Sequence, residues 1–215
     1  MKTDDLIAAL ANDARPVQPG LTPRRLLSFT LLGTAASALI MMLWLGPRPD
    51  LVMAMRGAFL WVKALYAFSF AVAGAMAMER LVRGDGKTPP LARLTVFFAL
   101  ILMGGTGAIG LWLAPSGLRL GMWLGTSYGA CSLRLIVLAA PIQIAALLAA
   151  RSLSPTRLRE TGLACGLVAG GLAATVYAFH CPESTAAFVA SWYTLGIAIC
   201  GLIGWLIGPL ALRWR

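Results

Sequence analysis

Six stretches of about 20 apolar residues, each fenced by charge or by Pro and Gly, constrain this chain more than any other feature of it. A hydrocarbon layer about 30 Å thick is crossed by roughly 20 residues of helix at 1.5 Å rise. Windows of that length fall near 26–45, 58–78, 91–113, 131–150, 161–179 and 186–206, separated by runs such as Gly46-Pro47-Arg48-Pro49-Asp50 and His180-Cys181-Pro182-Glu183. Barrel strands would be about ten residues long with alternating polarity, which these windows are not. The pattern predicts an all-α membrane protein of six transmembrane helices. The composition agrees: 59% of residues are hydrophobic, 12% are charged and the mean hydropathy is +0.80. Such a chain is neither disordered nor a disulfide scaffold, since it has only four Cys in 215 residues.

The net charge of +10 needs a location before it has a meaning. Counted over short loops, thirteen of the 18 basic residues fall on the side of the N-terminus, against three (Arg48, Arg56, Arg119) on the other. An excess of that sign marks the cytoplasmic face. Both termini are therefore expected in the cytoplasm and three short loops outside. The charge then records topology and contact with anionic lipid, with no direct nucleic-acid partner. Two regions follow: a cytoplasmic segment, 1–25, and a six-helix domain, 26–215. Lys63 and Arg134 are left within or at the margin of spans. Each lies close enough to an outer end to snorkel, which is the first expectation, and a role in a polar site is the second, because intramembrane charge is costly.

Spacing gives the glycines a role. Gly162, Gly166 and Gly170 repeat every four residues in the fifth window, as do Gly196, Cys200, Gly204 and Gly208 in the sixth. Small residues on one stripe let helix backbones approach closely, so these two helices should pack together, within one chain or across a homodimer.

Depth sorts the cysteines. Cys165 and Cys200 lie among apolar residues, where a thiol acts as a small hydrophobe. Cys131 opens the fourth window and Cys181 closes the fifth, both at the outer face. Helices joined by a short loop run antiparallel as neighbours, so these thiols come within reach of each other. His180, the only His, adjoins Cys181, and Arg134 lies one turn from Cys131, where a cation would favour a thiolate. Thiolates with an imidazole suit a thiophilic metal ion, and an oxidising compartment equally permits a disulfide. No cofactor is required by any motif. The residues alone leave a sensor and an inert structural pair both open.

The N-terminal string reads as a short amphipathic helix, with Thr3 as N-cap, Asp4 and Asp5 in the first turn, Leu6, Ile7 and Leu10 on one face, and Asp13 before Pro16. A helix this short is marginal alone, and its acidic polar face suits a basic-rimmed protein groove better than a lipid surface.

The opening Met1-Lys2-Thr3-Asp4-Asp5-Leu6-Ile7-Ala8-Ala9-Leu10-Ala11, the six spans, and the outer Cys131 and Cys181, the latter in Cys181-Pro182 followed by Ser191-Trp192-Tyr193, resemble the NrsF family. These are bacterial membrane anti-sigma factors, negative regulators of sigma F, and the resemblance covers essentially the whole chain. It implies an inner-membrane protein that holds an extracytoplasmic-function (ECF) sigma factor, sigma F-like, inactive. It implies that Cys131 and Cys181, on the periplasmic side, respond to heavy metal or oxidative stress, and that the N-terminal segment contacts sigma. The alternative class is a small transporter or metal-export protein, which would need repeated halves and an intramembrane relay that the sequence lacks. An enzyme is not expected. The acids Asp4, Asp5, Asp13, Asp50, Glu79, Asp85, Glu160 and Glu183 all lie in loops or the tail, beside no nucleophile motif.

Overall fold

The computed structural model describes residues 3, 7, 21–83 and 88–213. Among them there is no strand. Thr3 and Ile7 are helical, and Asp4, Asp5, Leu6, Leu10 and Asp13 lie outside the described residues. The main chain then runs through α1 (Leu21–Ile40, continued by a π-helical turn, Met41–Leu45), α2 (Leu51–Arg56), α3 (Ala58–Val82) and α4 (Pro90–Leu113). It continues through α5 (Ser116–Leu124), α6 (Tyr128–Arg151), α7 (Leu158–Tyr177) and α8 (Ala186–Ala211). Six of these segments are long and apolar enough to cross a membrane, at 23, 25, 24, 36, 20 and 26 residues.

Local chemistry sets the ends. Pro90 starts α4 at a position where its missing N–H is no loss. Gly46 ends the first span with φ 70°, and its N–H caps the Met41 carbonyl. The fourth segment is longer than the window read from sequence, because α5 precedes α6 and lies against the turn that opens α8.

Helix α7 is the centre of the bundle, with α3, α6 and α8 packed around it. Glycine makes that possible. A Cβ on Gly162 would strike the Gly204 carbonyl, and one on Gly166 the Cys200 carbonyl, so α7 and α8 meet backbone to backbone within one chain. On the opposite side of α7, Gly171 faces the backbone of Ala67 and Ala71, while Gly74 of α3 faces Val168. Gly170 completes the stripe against Ile197, and Gly208 sits against Leu158. Gly196 departs from it: its open side faces Leu135 of α6, not α7. Similarly, Gly33 lets α1 cross α6 over Pro141 and Ile142. Cys165 and Cys200 are packing residues, 0% and 1% exposed, with the Cys165 thiol 3.4 Å from the Met78 sulfur.

Candidate functional site

At the end of the bundle away from residue 21, four segments converge on one buried cluster. Helix α6 brings Cys131, the turn after α7 brings Cys181, α3 brings Lys63 and α8 brings Tyr193. Cys181 is fixed by its own backbone, whose N–H donates to the Tyr177 carbonyl over 3.0 Å as α7 ends. The Lys63 ammonium donates to the carbonyls of Cys181 (2.8 Å) and Glu183 (3.0 Å) and lies 5.6 Å from the centre of the Tyr193 ring. Lys63 is 0% exposed, which corrects the expectation that it snorkels to an outer end. It turns inward to carbonyl oxygens. It forms no ion pair with a carboxylate among the described residues, and an uncompensated buried cation is costly. The charge-bearing groups that face it are the two thiols, Arg48 and Glu183.

Cys131 and Cys181 are both 0% exposed and are not bridged. Their thiols are neighbours whose ionisations bear on each other. The Cys181 thiol is held below its ordinary value, first by the adjacent Cys131 thiol and then by the Lys63 ammonium, against the opposing effect of burial. Two tyrosines complete the cluster. Tyr177 and Tyr193 are 0% exposed with ring centres 5.9 Å apart, and neither hydroxyl makes a hydrogen bond of ordinary geometry. Beside Tyr177 stand Cys131 and Arg134, and beside Tyr193 stands Cys181. Tyr193 ends a π-helical turn, Val189–Tyr193, and such turns often re-aim side chains at functional sites.

Two sequence expectations are corrected here. His180 is turned away from the thiols: its Nδ1–H donates to the Gly46 carbonyl at 2.8 Å, which leaves Nε2 to accept from Arg134 Nη1 at 3.5 Å. Arg134 is therefore engaged by His180, and the cation within the thiol cluster is Lys63, at the Cys181 carbonyl. Among the described residues no three His, Cys, Asp or Glu side chains gather as they would to hold a metal ion. The site is a two-thiol site, and the thiols lie beneath the loop, not displayed on it.

The surrounding loop is pinned on both sides. Glu183 Oε1 accepts from the N–H and hydroxyl of Thr126 (2.7 and 2.8 Å) and from those of Ser127 (both 3.2 Å). Burial pushes this carboxyl up, but the four donors outweigh it and hold it below the usual carboxylate value. Gly125, with φ +61°, is the only residue type that fits beside it, since a Cβ would lie 2.6 Å from Glu183 Oε2. On the other side Arg48 pairs with Asp50 at 2.7 Å, reaches the Cys181 carbonyl at 3.5 Å and donates its own N–H to the Phe179 carbonyl. Tyr177, Glu183 and Arg48 were not singled out by the sequence; the available signals were a lysine placed inside an apolar window and the Ser191-Trp192-Tyr193 string that contains Tyr193.

An all-α bundle with six helices long and apolar enough to span a membrane, carrying a buried thiol pair at one end, is the class that this arrangement defines. The chain belongs to the NrsF family, described as negative regulator of sigma F, whose profile matches residues 10–214. It is thus a regulatory protein and not an enzyme. It is 43% identical to the anti-sigma-F factor NrsF of Caulobacter vibrioides and 36% identical to a probable anti-sigma-F factor NrsF of Azospira oryzae, each over the full length of both chains. No solved structure matches it.

Proposed function

We propose that the protein spans a bacterial inner membrane six times with both termini in the cytoplasm, where residues 1–25 and neighbouring loops hold an ECF sigma factor of the sigma F type inactive. Release follows when Cys131 and Cys181, on the periplasmic side, take up a thiophilic metal ion or are oxidised to a disulfide. The family supports the regulatory role, and the concentration of basic residues at the terminus-bearing end supports the orientation.

The observation that carries the sensing step is the burial of both thiols in one cluster beside Lys63, which holds the Cys181 carbonyl. A ligand shifts an equilibrium only by its differential affinity for two states. Two thiols in one buried cluster, under a loop held by Lys63, Arg48 and Glu183, give such a difference. Drawing the sulfurs into a covalent or metal-linked pair changes both their spacing and the charge they present to Lys63. The turn after α7 then has to move. Helix α7 is one unbroken rod of 20 residues, about 30 Å, that ends among the basic residues of the opposite face.

Affinity capture from detergent tests the reading by comparing the intact chain with one lacking residues 1–25. A sigma-factor band with the intact chain that vanishes on truncation supports it, and no such band from either chain sinks it.

A further inference from the structure

We infer that the groove between α3, α4 and α7, at the terminus-bearing end of the bundle, is a docking site for the chain's own N-terminal helix. Docking there competes with the sigma factor for that helix, a claim that rests on the function proposed above. The groove has a volume of about 550 Å³. Its floor is apolar, with Ala77, Leu163 and Leu167, and its rim carries Arg93, Arg157 and Glu160. Glu160 is neutralised by Arg157 at 3.1 Å, whereas Arg93 is exposed and has no hydrogen-bond or ion-pair partner among the described residues. The groove thus presents apolar surface under an unpaired cation. Leu163 on its floor remains 37% exposed.

The segment upstream of α1 has the complementary character. Leu6, Ile7 and Leu10 recur at helical spacing, and Asp4, Asp5 and Asp13 supply negative charge. Ile7, the described residue of that ridge, is helical and 59% exposed. Helix-in-groove recognition requires this combination of an aliphatic ridge, an apolar floor and opposite charges at the rim. Reach is sufficient. Residues 14–20 extend over roughly 24 Å, while α1 itself touches α3 and α7 and adjacent helices lie about 8–10 Å apart. A tether of that length holds the helix at about millimolar effective concentration, so a weak groove suffices. Because α7 forms one wall of the groove and leads into the Cys181 turn, a shift of α7 at the thiol end alters the groove at the other.

A photo-crosslinking experiment tests this with the full chain in nanodiscs of anionic lipid, carrying a benzophenone amino acid at position 10. The expected crosslinks join this position to residues 88–93 or 157–167 of the same chain, and they fade when the sigma factor is added. Arg93→Glu, an exposed change that leaves the core intact, should cut them at least about fivefold, and Asp4→Lys with Asp5→Lys should restore them. If the groove keeps the helix occupied about nine-tenths of the time, Arg93→Glu should tighten sigma binding about tenfold. Crosslinks to lipid, to other parts of the chain, or to a second copy seen at twice the mass would overturn the inference. Groove crosslinks in a chain that binds no sigma factor would overturn the proposed function and the competition with it. Sigma binding without groove crosslinks would overturn this inference alone.

Discussion

Lys63 of α3 donates a 2.8 Å hydrogen bond to the carbonyl of Cys181, the residue whose thiol meets Cys131. One buried side chain therefore fixes both the position of a thiol and the charge it experiences. Lys63→Met keeps the length of the apolar stem but leaves the carbonyls of Cys181 and Glu183 without their charged donor. Hydrogen bonds to charged groups are each worth about 1.5–3 kcal/mol. We expect a lower unfolding temperature in detergent and slower maleimide labelling of Cys181 at about pH 7, because its thiolate loses the neighbouring cation. Unchanged values for both would show that the ammonium does not hold the turn.

The two thiols should differ in reactivity with pH. Cys181 has its ionisation favoured by the adjacent Cys131 thiol and by Lys63. A folded value below the ordinary thiol value means that the thiolate's stabilising contribution is complete above the ordinary value and is lost as pH falls through the lowered one. Stability should thus decline on acidification from about pH 9, and Cys181 should alkylate before Cys131 at about pH 7, where an ordinary thiol near 8.5 is mostly protonated. Site-resolved mass spectrometry after a timed iodoacetamide pulse gives the order. Cys131 reacting first would contradict it.

Glu183 makes a separate prediction about the loop. Its carboxylate accepts four donors from Thr126 and Ser127 and is held below the usual value. That stabilisation is present above the ordinary carboxylate value and disappears as pH falls through the lowered one. Glu183→Ala should destabilise by about 1–3 kcal/mol. Glu183→Gln, which keeps one accepting oxygen, should cost less and should flatten the acid limb of a stability profile. Thermal melts of the three proteins between about pH 3 and pH 7 provide the comparison, and parallel acid limbs would assign the loss to another carboxylate.

The six spans were legible because lipid imposes length and apolarity on each segment separately, with no need to know what packs on what. The approach of α7 to α8 was legible for a related reason, since a repeat of Gly162, Gly166 and Gly204 has few uses besides close packing. The thiol pair followed from hairpin topology. Lys63 was not legible: snorkelling and inward burial differ only in which side of α3 faces α7, and one charge in an apolar helix cannot announce that. Tyr193 depends on a π-helical turn whose extra residue changes the helix face without any mark in the sequence. His180 shows the opposite failure, because adjacency to Cys181 in sequence became separation once its ring bonded to Gly46.

Glycines along α7 and α8 should rank by what a methyl group would meet. At Gly166 it would strike the Cys200 backbone, which cannot yield without parting the two helices. At Gly201 it would meet only the ends of the Leu163 and Leu167 side chains, at 3.2 and 3.4 Å, which can rotate. At Gly104 of α4 it would meet nothing within 4 Å, and the gain in helix propensity is about 0.8–1 kcal/mol. Gly166→Ala should therefore destabilise by more than about 2 kcal/mol, as overpacking against a rigid wall does. Gly201→Ala should be close to neutral, and Gly104→Ala neutral to stabilising. Unfolding temperatures of the three variants in one detergent give the ranking. A Gly166→Ala protein as stable as the Gly104→Ala one would mean that α7 and α8 are not in backbone contact.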